Sequence, residues 1–437
     1  MLPIIDSSKV IFGLKRTLSE NGIKLLISNK RYSQVTSAPK PLEGIRVLEL
    51  GQIVAGPFCG TILGYYGAEV IKVESPGTGD TVRALRGIDI DGVSPWFRAI
   101  GRNKKSCEIN LRTEEGRKLA RQLADRSDVL IENFRPGVME KWGLGPEELY
   151  KTNPSIVYTR ISGFGQTGPY AKRPGFASVC EAVAGWRHIN RFRDQPLVRQ
   201  NLSLGDSLAG LTAALGIVMC LLVRKKFPPN ARSGQEIDVA IYESVLNMME
   251  GVLPEYDRFG EIRQPAGNSA TDNAYLCSDS KYIVIDGDGE FLHEKLMKVI
   301  EREDLVTAEC KANKESIQHK ELINAILDWT KKHTSKEVLE KLEKEEIPCA
   351  PVYNIKDIVE DEHFRKRDLF ETVRVGENME NGGWDLKLSA ITPKLSATPG
   401  GTTWAGPDLG QHNREILMDF LGLGEDEIRE LQKNGII

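Results

Sequence analysis

IRVLELGQIVAGPFCGTILGYYGAEVIKVE, residues 45–74, indicates the fold class of this 437-residue chain. IRVLEL is short and mostly aliphatic, as buried strands are, and EVIKVE repeats that pattern. Between them, GQIVAGPFCGTILGYYGA has the glycines and small residues of a turn that enters a helix. A strand, a helix and a second strand within 30 residues predict a parallel βαβ unit.

The same alternation continues along the chain. TEEGRKLARQLADRS and GPEELYKTN are predicted helices, and DVLIENF and SIVYTRIS are predicted strands. We therefore expect an α/β fold, in which a large domain has a doubly wound, Rossmann-like parallel sheet with ligand loops at the carboxyl ends of its strands. A smaller α+β domain is expected in the middle of the chain, where helical sequence rich in lysine and glutamate extends to about Glu346.

The first 40 residues differ in composition from the rest. They contain seven Lys or Arg residues and two acidic residues, so their net charge is +5, and the cations are mixed with Ile, Leu and Phe. This composition favours a mitochondrial transit peptide and a matrix location, with a disordered or docking extension and a cytoplasmic location as the alternative. The predicted division is 1–40 for the transit peptide, 41–245 and 347–437 for the large domain, and 246–346 for the small domain with its linkers.

Composition argues against several classes of function. The net charge of −4 gives no support for binding nucleic acid or an anionic membrane surface. The six histidines are scattered and the seven cysteines show no CxxC spacing, so no metal site is predicted and reduced, intracellular thiols are expected. The longest apolar run, Leu208–Val223, is short for a membrane span, and we predict no transmembrane segment.

Asp206 is a lone carboxylate at the start of that apolar run, and no further charge follows until Arg224. Burying an unpaired ionised carboxylate is costly, so such a residue is either satisfied structurally, for example as a helix cap, or kept for chemistry. Gly205 and Ser207 leave room for a substrate. In a closed site, a carboxylate attacks an activated acyl group and forms a covalent intermediate. The residues alone leave both interpretations open.

GFGQTG, residues 163–168, matches a dinucleotide-binding fingerprint and follows a predicted strand. Pro169 comes directly after it, whereas that fingerprint requires a helix to begin there. A glycine-rich turn is therefore favoured, and a nicotinamide-dependent oxidoreductase is disfavoured.

Basic residues cluster near two predicted strands. GRNKKS contains Arg102, Lys104 and Lys105, and ENFRPG contains Arg135 in a loop at the carboxyl end of a strand. Each group alone is typical of a solvated surface. Together on one α/β scaffold, they also suit a binding site for an anionic, phosphorylated ligand.

PLEGIRVLELGQIVAGP, GAEVIKVESPGTGD, GRNKKS, ENFRPG, GFGQTGP and LGDSLAG occur in the order seen in family III CoA-transferases, and LGQH near the C-terminus also matches. From about Pro41 to its end, the chain resembles this family. The resemblance implies that Asp206 attacks an acyl-CoA thioester to form an aspartyl-acyl anhydride, and then an aspartyl-CoA thioester that passes CoA to an acceptor acid. It further implies a CoA thioester as substrate, no permanently bound cofactor, and an interlaced homodimer.

The resemblance also assigns residues to a CoA-binding site on three segments. Those residues are Val54, Ala55, Ile109, Arg112, Asn133, Phe134 and Lys141.

Departures from the family pattern narrow the expected substrates. The arginine that binds CoA after the second strand in this family is Ser75 here, and the Gly-Tyr-Asp that often follows GFGQTGP is Gly175-Phe176-Ala177. The glycine-rich loop of oxalate-specific members is replaced by GNSATDNAYL. We therefore expect succinyl-CoA and another dicarboxylate rather than formyl-CoA and oxalate, because a mitochondrial location supplies succinyl-CoA.

Two other functions fit a CoA-binding chain of this kind. An α-methylacyl-CoA racemase shares the expected fold, but racemisation needs a base and an acid on opposite faces of a carbon, and its His-Asp pair is replaced by Phe176-Ala177. A non-catalytic CoA-binding protein would not need Asp206. Arg187, Arg193 and Arg199 lie upstream of Asp206, and one of them is a candidate partner for the distal carboxylate of a substrate.

Overall fold

The computed structural model describes residues 39–437, except for 192–195, 229–230, 232, 266–271, 287–289, 307–316, 377–378 and 380–381. The predicted transit peptide lies almost entirely outside the described residues, so the peptide and the mitochondrial location stay predictions. The three predicted domain boundaries also stay predictions.

Eleven strands form three sheets in the described part of the chain. In chain order, they are β1 Arg46–Glu49, β2 Glu69–Glu74, β3 Lys104–Glu108, β4 Val129–Glu132, β5 Val157–Ser162, β6 Glu236–Ala240, β7 Asp272–Leu276, β8 Tyr282–Asp286, β9 Cys349–Pro351, β10 Phe370–Val375 and β11 Trp384–Ser389.

The largest sheet has six parallel strands in the order β3-β2-β1-β4-β5-β6. The order reverses between β1 and β4, as in a doubly wound sheet, so the predicted fold class is confirmed. The predicted strands IRVLEL, EVIKVE, DVLIENF and SIVYTRIS contain β1, β2, β4 and β5. A second sheet, β7-β8-β9, is antiparallel, and β10 and β11 form a two-stranded antiparallel sheet.

Sixteen α-helices connect these strands in the described residues. They are α1 Ala55–Tyr65, α2 Pro95–Ile100, α3 Glu114–Asp125, α4 Val138–Lys141, α5 Pro146–Leu149, α6 Ala177–Val183, α7 Trp186–Ile189, α8 Leu204–Lys225, α9 Ile241–Leu246, α10 Val252–Phe259, α11 Glu290–Val299, α12 Ile317–Thr330, α13 Ser335–Lys344, α14 Ile355–Glu360, α15 Glu362–Lys366 and α16 Glu425–Lys433. Two 3₁₀-helical turns, Thr81–Ala84 and Glu303–Leu305, and a π-helical segment, Glu415–Phe420, complete the helical structure.

Helices cover both faces of the large sheet, because alternate residues of each strand point to opposite sides. Val47 packs with α1 and α8 in one apolar core, whereas Leu48 packs with α3 and the C-terminal segment in another. Ile416 and Leu417 belong to this second core, so the C-terminal segment completes the domain that the N-terminal strands begin.

The middle of the chain has an apolar core of its own. The antiparallel sheet β7-β8-β9 packs against α11, α12 and α13, and the buried side chains include Tyr275, Ile283 and Ile326. This arrangement is the expected smaller α+β unit. The third strand of its sheet, β9, pairs with β8.

Helix α8 crosses α1 at close range, and this crossing brings the start of α8 near the loop after β1. A Cβ at Gly210 would lie 2.8 Å from the carbonyl oxygen of Ala55 and 3.2 Å from the amide nitrogen of Cys59, so only glycine permits the approach. By length and composition alone, α8 is also a candidate membrane span. One such helix is weak evidence, since core helices pass the same test.

Charged side chains form a buried network beneath the loop that joins β1 to α1. The Nζ atom of Lys72 lies 3.0 Å from Oε1 of Glu49 and 2.8 Å from Oδ2 of Asp80. Oε2 of Glu49 lies 2.8 Å from Nζ of Lys104, and all four side chains are at most 2% exposed. Burial lowers the pKa of Lys104 to about 8, although the charge of Glu49 opposes that shift. Glu49 therefore neutralises two buried cations at once.

Replacing Glu49 with glutamine should destabilise the protein strongly, because Lys72 and Lys104 would share a buried site without their common carboxylate. Breaking a buried ion pair on one side typically costs about 3–5 kcal/mol. Urea denaturation measures the loss. The matched control is Glu114→Gln, which removes the exposed pair with Lys118 and should cost less than about 1 kcal/mol. Equal midpoints for the two variants would contradict the role given to Glu49.

Candidate active site

The loop after β1 lies at the switch point of the sheet, opposite the end of β4. Oδ1 of Asn133 accepts a hydrogen bond from the amide of Gln52 at 2.8 Å, and Nδ2 of Asn133 donates to the carbonyl of Gln52 at 2.8 Å. The side chain of Asn133 thus makes two hydrogen bonds with the backbone of Gln52, one as acceptor and one as donor. Ligands bind at such crevices in open α/β sheets.

Ile53 lies in the same loop and has a φ of +69°, a left-handed conformation that β-branched residues rarely adopt. The carboxylate of Asp80 accepts the amide hydrogen of Ile53, with distances of 3.1 and 3.2 Å to its two oxygens. Such a conformation costs about 1–3 kcal/mol and persists where the surroundings hold it. Because Asp80 also pairs with Lys72, the buried network holds this loop in place.

Asp80 was not among the residues that the sequence singled out. It ends the motif GAEVIKVESPGTGD, and that position was its only signal. Its partner Ile53 is 27 residues away, so the contact depends on how β1 and β2 pack side by side.

Asp206 faces a pocket of about 180 Å³ at this crevice. The pocket is lined by Gln52, Ile53, Val54, Ala55, Asn133, Phe134, Ile161, Ser162, Gly163, Gly175, Phe176, Asp206 and Ile241. Five of the eight residues predicted for the site therefore lie together: Val54, Ala55, Asn133, Phe134 and Asp206.

The other three predicted residues do not line this pocket. Ile109 is buried in the core that includes α3, and its amide donates a hydrogen bond to the carbonyl of Glu74 at 2.9 Å. Arg112 and Lys141 are exposed. Ile109 and Arg112 follow β3, so they lie at the same carboxyl-terminal end of the parallel sheet as the pocket. Their contact with CoA, like that of Lys141, stays a prediction.

The interpretation of GRNKKS as a basic loop for an anionic ligand is wrong. Lys104 and Lys105 lie within β3, and the side chain of Lys104 is fully buried against Glu49. Arg102 is also buried, and it donates hydrogen bonds to the carbonyl oxygens of Ala99 and Ser389. These cations hold the fold together.

Two of the three arginines upstream of Asp206 can be located, and neither lines the pocket. Arg187 is held by Glu181 and Ser178, and Arg199 is exposed. Arg193 lies outside the described residues. GFGQTG forms a turn, and the next helix, α6, begins only at Ala177, so the dinucleotide fingerprint is absent from this segment as predicted.

Asp206 occupies the first turn of α8 and is partly buried. No described residue donates a hydrogen bond to its carboxylate. Burial, and in second place the negative charge of Glu181, raise the pKa of Asp206 to about 6. The carboxylate is thus ionised at neutral pH, yet more basic than an ordinary aspartate, which suits a nucleophile.

Among the described residues that line the pocket, Asp206 is the one with an ionisable side chain, and Phe176 contributes an aromatic ring. A two-base proton transfer therefore lacks its partner in the described pocket. In the described residues, no group of three or more His, Cys, Asp or Glu side chains is placed to hold a metal ion.

Replacing Asp206 with asparagine should stabilise the folded protein at pH 8 but not at pH 4. Because folding raises the pKa of Asp206 to about 6, the native state becomes less stable as pH rises from about 4 to 6, and asparagine removes this penalty. Because Asp206 is partly exposed and the helix dipole favours its ionised form, we expect the free energy of unfolding at pH 8 to rise by about 1–2 kcal/mol. Thermal unfolding at both pH values measures it.

Asp426→Asn is the control for that measurement, because Asp426 is an exposed aspartate in the first turn of α16. It should show no gain at pH 8. If Asp206→Asn were less stable than the wild type at pH 8, the ionised carboxylate of Asp206 would not destabilise the folded protein.

Comparison with known proteins identifies the family. The model of "CoA-transferase family III" matches residues 42–413. The chain is 42% identical to succinyl-CoA–D-citramalate CoA-transferase of Chloroflexus aurantiacus, over 91% of this chain and 98% of the relative. It is 35% identical to the alpha subunit of succinyl-CoA–L-malate CoA-transferase of Chloroflexus aurantiacus, over 91% and 92%.

The fold agrees with this assignment. A crystal structure of a CAIB/BAIF family protein from Brucella suis superimposes with a TM-score of 0.76 and 29% identity, covering 87% of this chain and all of that one. Since the family model spans most of the sequence and the relatives align over about nine tenths of this chain, the chain belongs to CoA-transferase family III and is a CoA-transferase.

Proposed function

We propose that this enzyme transfers CoA from succinyl-CoA to a second dicarboxylic acid through covalent intermediates on Asp206. The observation that carries the proposal is the pocket itself, in which Asp206 is the one ionisable side chain among the described lining residues. The relatives named for succinyl-CoA, D-citramalate and L-malate support the choice of substrates. CoA arrives as part of the substrate, and the chemistry requires no resident cofactor.

In the first half-reaction, an oxygen of Asp206 attacks the thioester carbonyl carbon of succinyl-CoA. The C–S bond breaks, CoA leaves as the thiolate, and a mixed anhydride of Asp206 and succinate remains. The thiolate then attacks the Asp206 carbonyl carbon, the anhydride C–O bond breaks, and succinate leaves. Asp206 now carries CoA as a thioester, with no net change in protons.

The second half-reaction runs the same steps with the acceptor. A carboxylate oxygen of the acceptor attacks the Asp206 carbonyl carbon, the C–S bond breaks, and a second anhydride forms. The thiolate attacks the acceptor's carbonyl carbon, which releases the new acyl-CoA and restores the Asp206 carboxylate. Anhydrides hydrolyse readily, and the apolar side chains of Ile53, Val54 and Phe134 around the carboxylate suit a site that must limit access of water.

Intact-mass spectrometry tests the covalent step. Wild-type protein incubated with succinyl-CoA and quenched with hydroxylamine or borohydride should carry a modification that maps to Asp206. Asp206→Ala and Asp206→Asn should carry none and should lose CoA transfer to D-citramalate and L-malate. Asp238→Asn, which changes an exposed aspartate outside the pocket, is the control and should be labelled like the wild type.

An unlabelled wild type across a panel of acyl-CoA donors would reject the nucleophile. The racemase and CoA-binding functions would then be tested by α-proton exchange and by equilibrium binding of CoA.

The enzyme is further proposed to be a homodimer. Helix α8 exposes an apolar stripe at helical spacing, formed by Leu211, Leu215, Met219 and Leu222, each more than half exposed in the single chain. Large exposed apolar patches mark interaction surfaces. The family resemblance, which implies an interlaced dimer, supports a second copy of the chain as the partner.

Light scattering coupled to size-exclusion chromatography should give about twice the chain mass of 48.7 kDa at micromolar concentration. Met219→Glu, which places a charge in the stripe, should reduce the dimer fraction. Lys118→Glu, an exposed charge change on α3, is the control and should leave it unchanged. A wild-type protein with the mass of one chain would contradict the homodimer.

A further inference from the structure

A second carboxylate, that of Glu181 on α6, contacts the first turn of α8 beside Asp206. A helix begins with amide groups that have no partner within the helix, and a side chain at the N-cap usually satisfies one of them. The N-cap residue here, Ser203, makes no such bond with its side chain. Instead, Oε1 of Glu181 on α6 accepts the amide hydrogen of Gly205 at 3.0 Å.

Gly205 lies against side chains from two neighbouring helices, Glu181 of α6 and Ile241 of α9. A Cβ at Gly205 would lie 3.0 Å from Cγ2 of Ile241 and 3.4 Å from Cγ of Glu181. Because Gly205 directly precedes Asp206, the bond from Glu181 fixes the backbone next to the nucleophile. The side chain of Glu181 is only 2% exposed, so its carboxylate is held inside the protein next to the first turn of α8.

Among the described residues, Arg187 is the cation that lies near Glu181, and it compensates the negative charge of Glu181 incompletely. Nη2 of Arg187 lies 3.8 Å from Oε2 of Glu181, which is long for an ion pair, and the same nitrogen donates to Oγ of Ser178 at 2.8 Å. The buried Nε of Arg187 has no hydrogen-bond partner among the described residues. A bidentate pairing would neutralise a carboxylate far better.

We propose that Glu181 is a positioning residue for the transfer reaction. It anchors the first turn of α8 through Gly205, and its negative charge disfavours the ionised state of Asp206. Acylation of Asp206 therefore relieves the repulsion between the two carboxylates. This inference rests on the proposed function. Attack on a thioester converts a charged Asp206 into a neutral ester-like group, and a fixed neighbouring negative charge favours that change.

The electrostatics of neighbouring groups agree with this arrangement. After burial, Glu181 is the cause of the raised pKa of Asp206. Burial, followed by the charges of Asp206 and Glu181, also raises the pKa of Cys180 to about 12. Two negative charges therefore act on the same small region.

Other elements that pack against α8 carry further titratable or charged groups. They are Cys180 on α6, Tyr242 and Glu243 on α9, Asp238 and Glu236 on β6, Tyr158 and Arg160 on β5, and Cys59 and Tyr65 on α1. Helix α7, which packs against α6, adds Arg187 and His188. On α8 itself, Cys220, Arg224 and Lys225 lie toward the C-terminal end, far from Asp206.

The pH dependence of kcat/KM for Glu181→Gln tests the proposal. Glutamine keeps an oxygen that accepts the Gly205 amide but removes the charge. The acid limb of the profile, expected near pH 6 for the wild type, should move to lower pH by about 0.5–1 unit. The groups that titrate on the substrates are the same for both proteins, so the difference belongs to the enzyme.

Two further variants separate charge from structure. Glu181→Ala removes the hydrogen bond as well as the charge, so it should lower kcat and the thermal midpoint beyond the effect of glutamine. Glu243→Gln is the matched control, because it neutralises an exposed glutamate on α9, which also packs against α8. Its acid limb should coincide with that of the wild type.

The outcomes distinguish this inference from the proposed function. If succinyl-CoA labels Asp206 in both the wild type and Glu181→Gln while their acid limbs coincide, Glu181 has no electrostatic role and the inference fails alone. If Asp206 is never labelled, the proposed function fails with it. A shifted acid limb together with labelled Asp206 in a folded Glu181→Gln protein supports both.

Discussion

The ion pairs that Glu49 makes with Lys72 and Lys104 are the interaction on which the rest of this structure depends. They lie beneath the loop between β1 and α1, and Lys72 links them to Asp80, which accepts the amide hydrogen of Ile53. Charges buried this deeply are tolerated only when every one has its partner. The network therefore connects three strands of the sheet to a strained loop, and the loop forms one wall of the pocket.

The opposite wall depends on α8 and its approach to α1. Gly210 lets the two helices touch, which places the first turn of α8 against the loop after β1. Asp206 then lines the same pocket as Val54 and Ala55. The site is thus assembled from the carboxyl ends of β1, β4 and β5 and the beginnings of α1, α8 and α9.

At Asp206, the features that favour the reaction also lower the stability of the folded protein. Its carboxylate is partly buried beside another negative charge, and no described residue donates a hydrogen bond to it, so the ionised state is less favourable than in water. The same features make it more basic, and a covalent intermediate removes its charge. Sites that bind and transform substrates commonly retain such unfavourable groups, which the remaining fold must stabilise.

The sequence by itself determined the βαβ pattern, the strands β1, β2, β4 and β5, and the place of Asp206 at the start of a long apolar segment. These are local properties: strand and helix patterns repeat every two or 3.6 residues, and a lone carboxylate beside an apolar run is visible in the letters. Ordered motifs added Val54, Ala55, Asn133 and Phe134, which do line one pocket with Asp206.

Only the tertiary structure decided which charges are buried and what they face. The sequence places Lys104 in a basic cluster, but its side chain pairs with Glu49, 55 positions earlier in the chain. Glu181 and Asp80 had no distinguishing local pattern, and each gained its role through a partner 24 or 27 residues away. Pairings of this kind depend on how strands and helices pack side by side, and local periodicity carries no information about that packing.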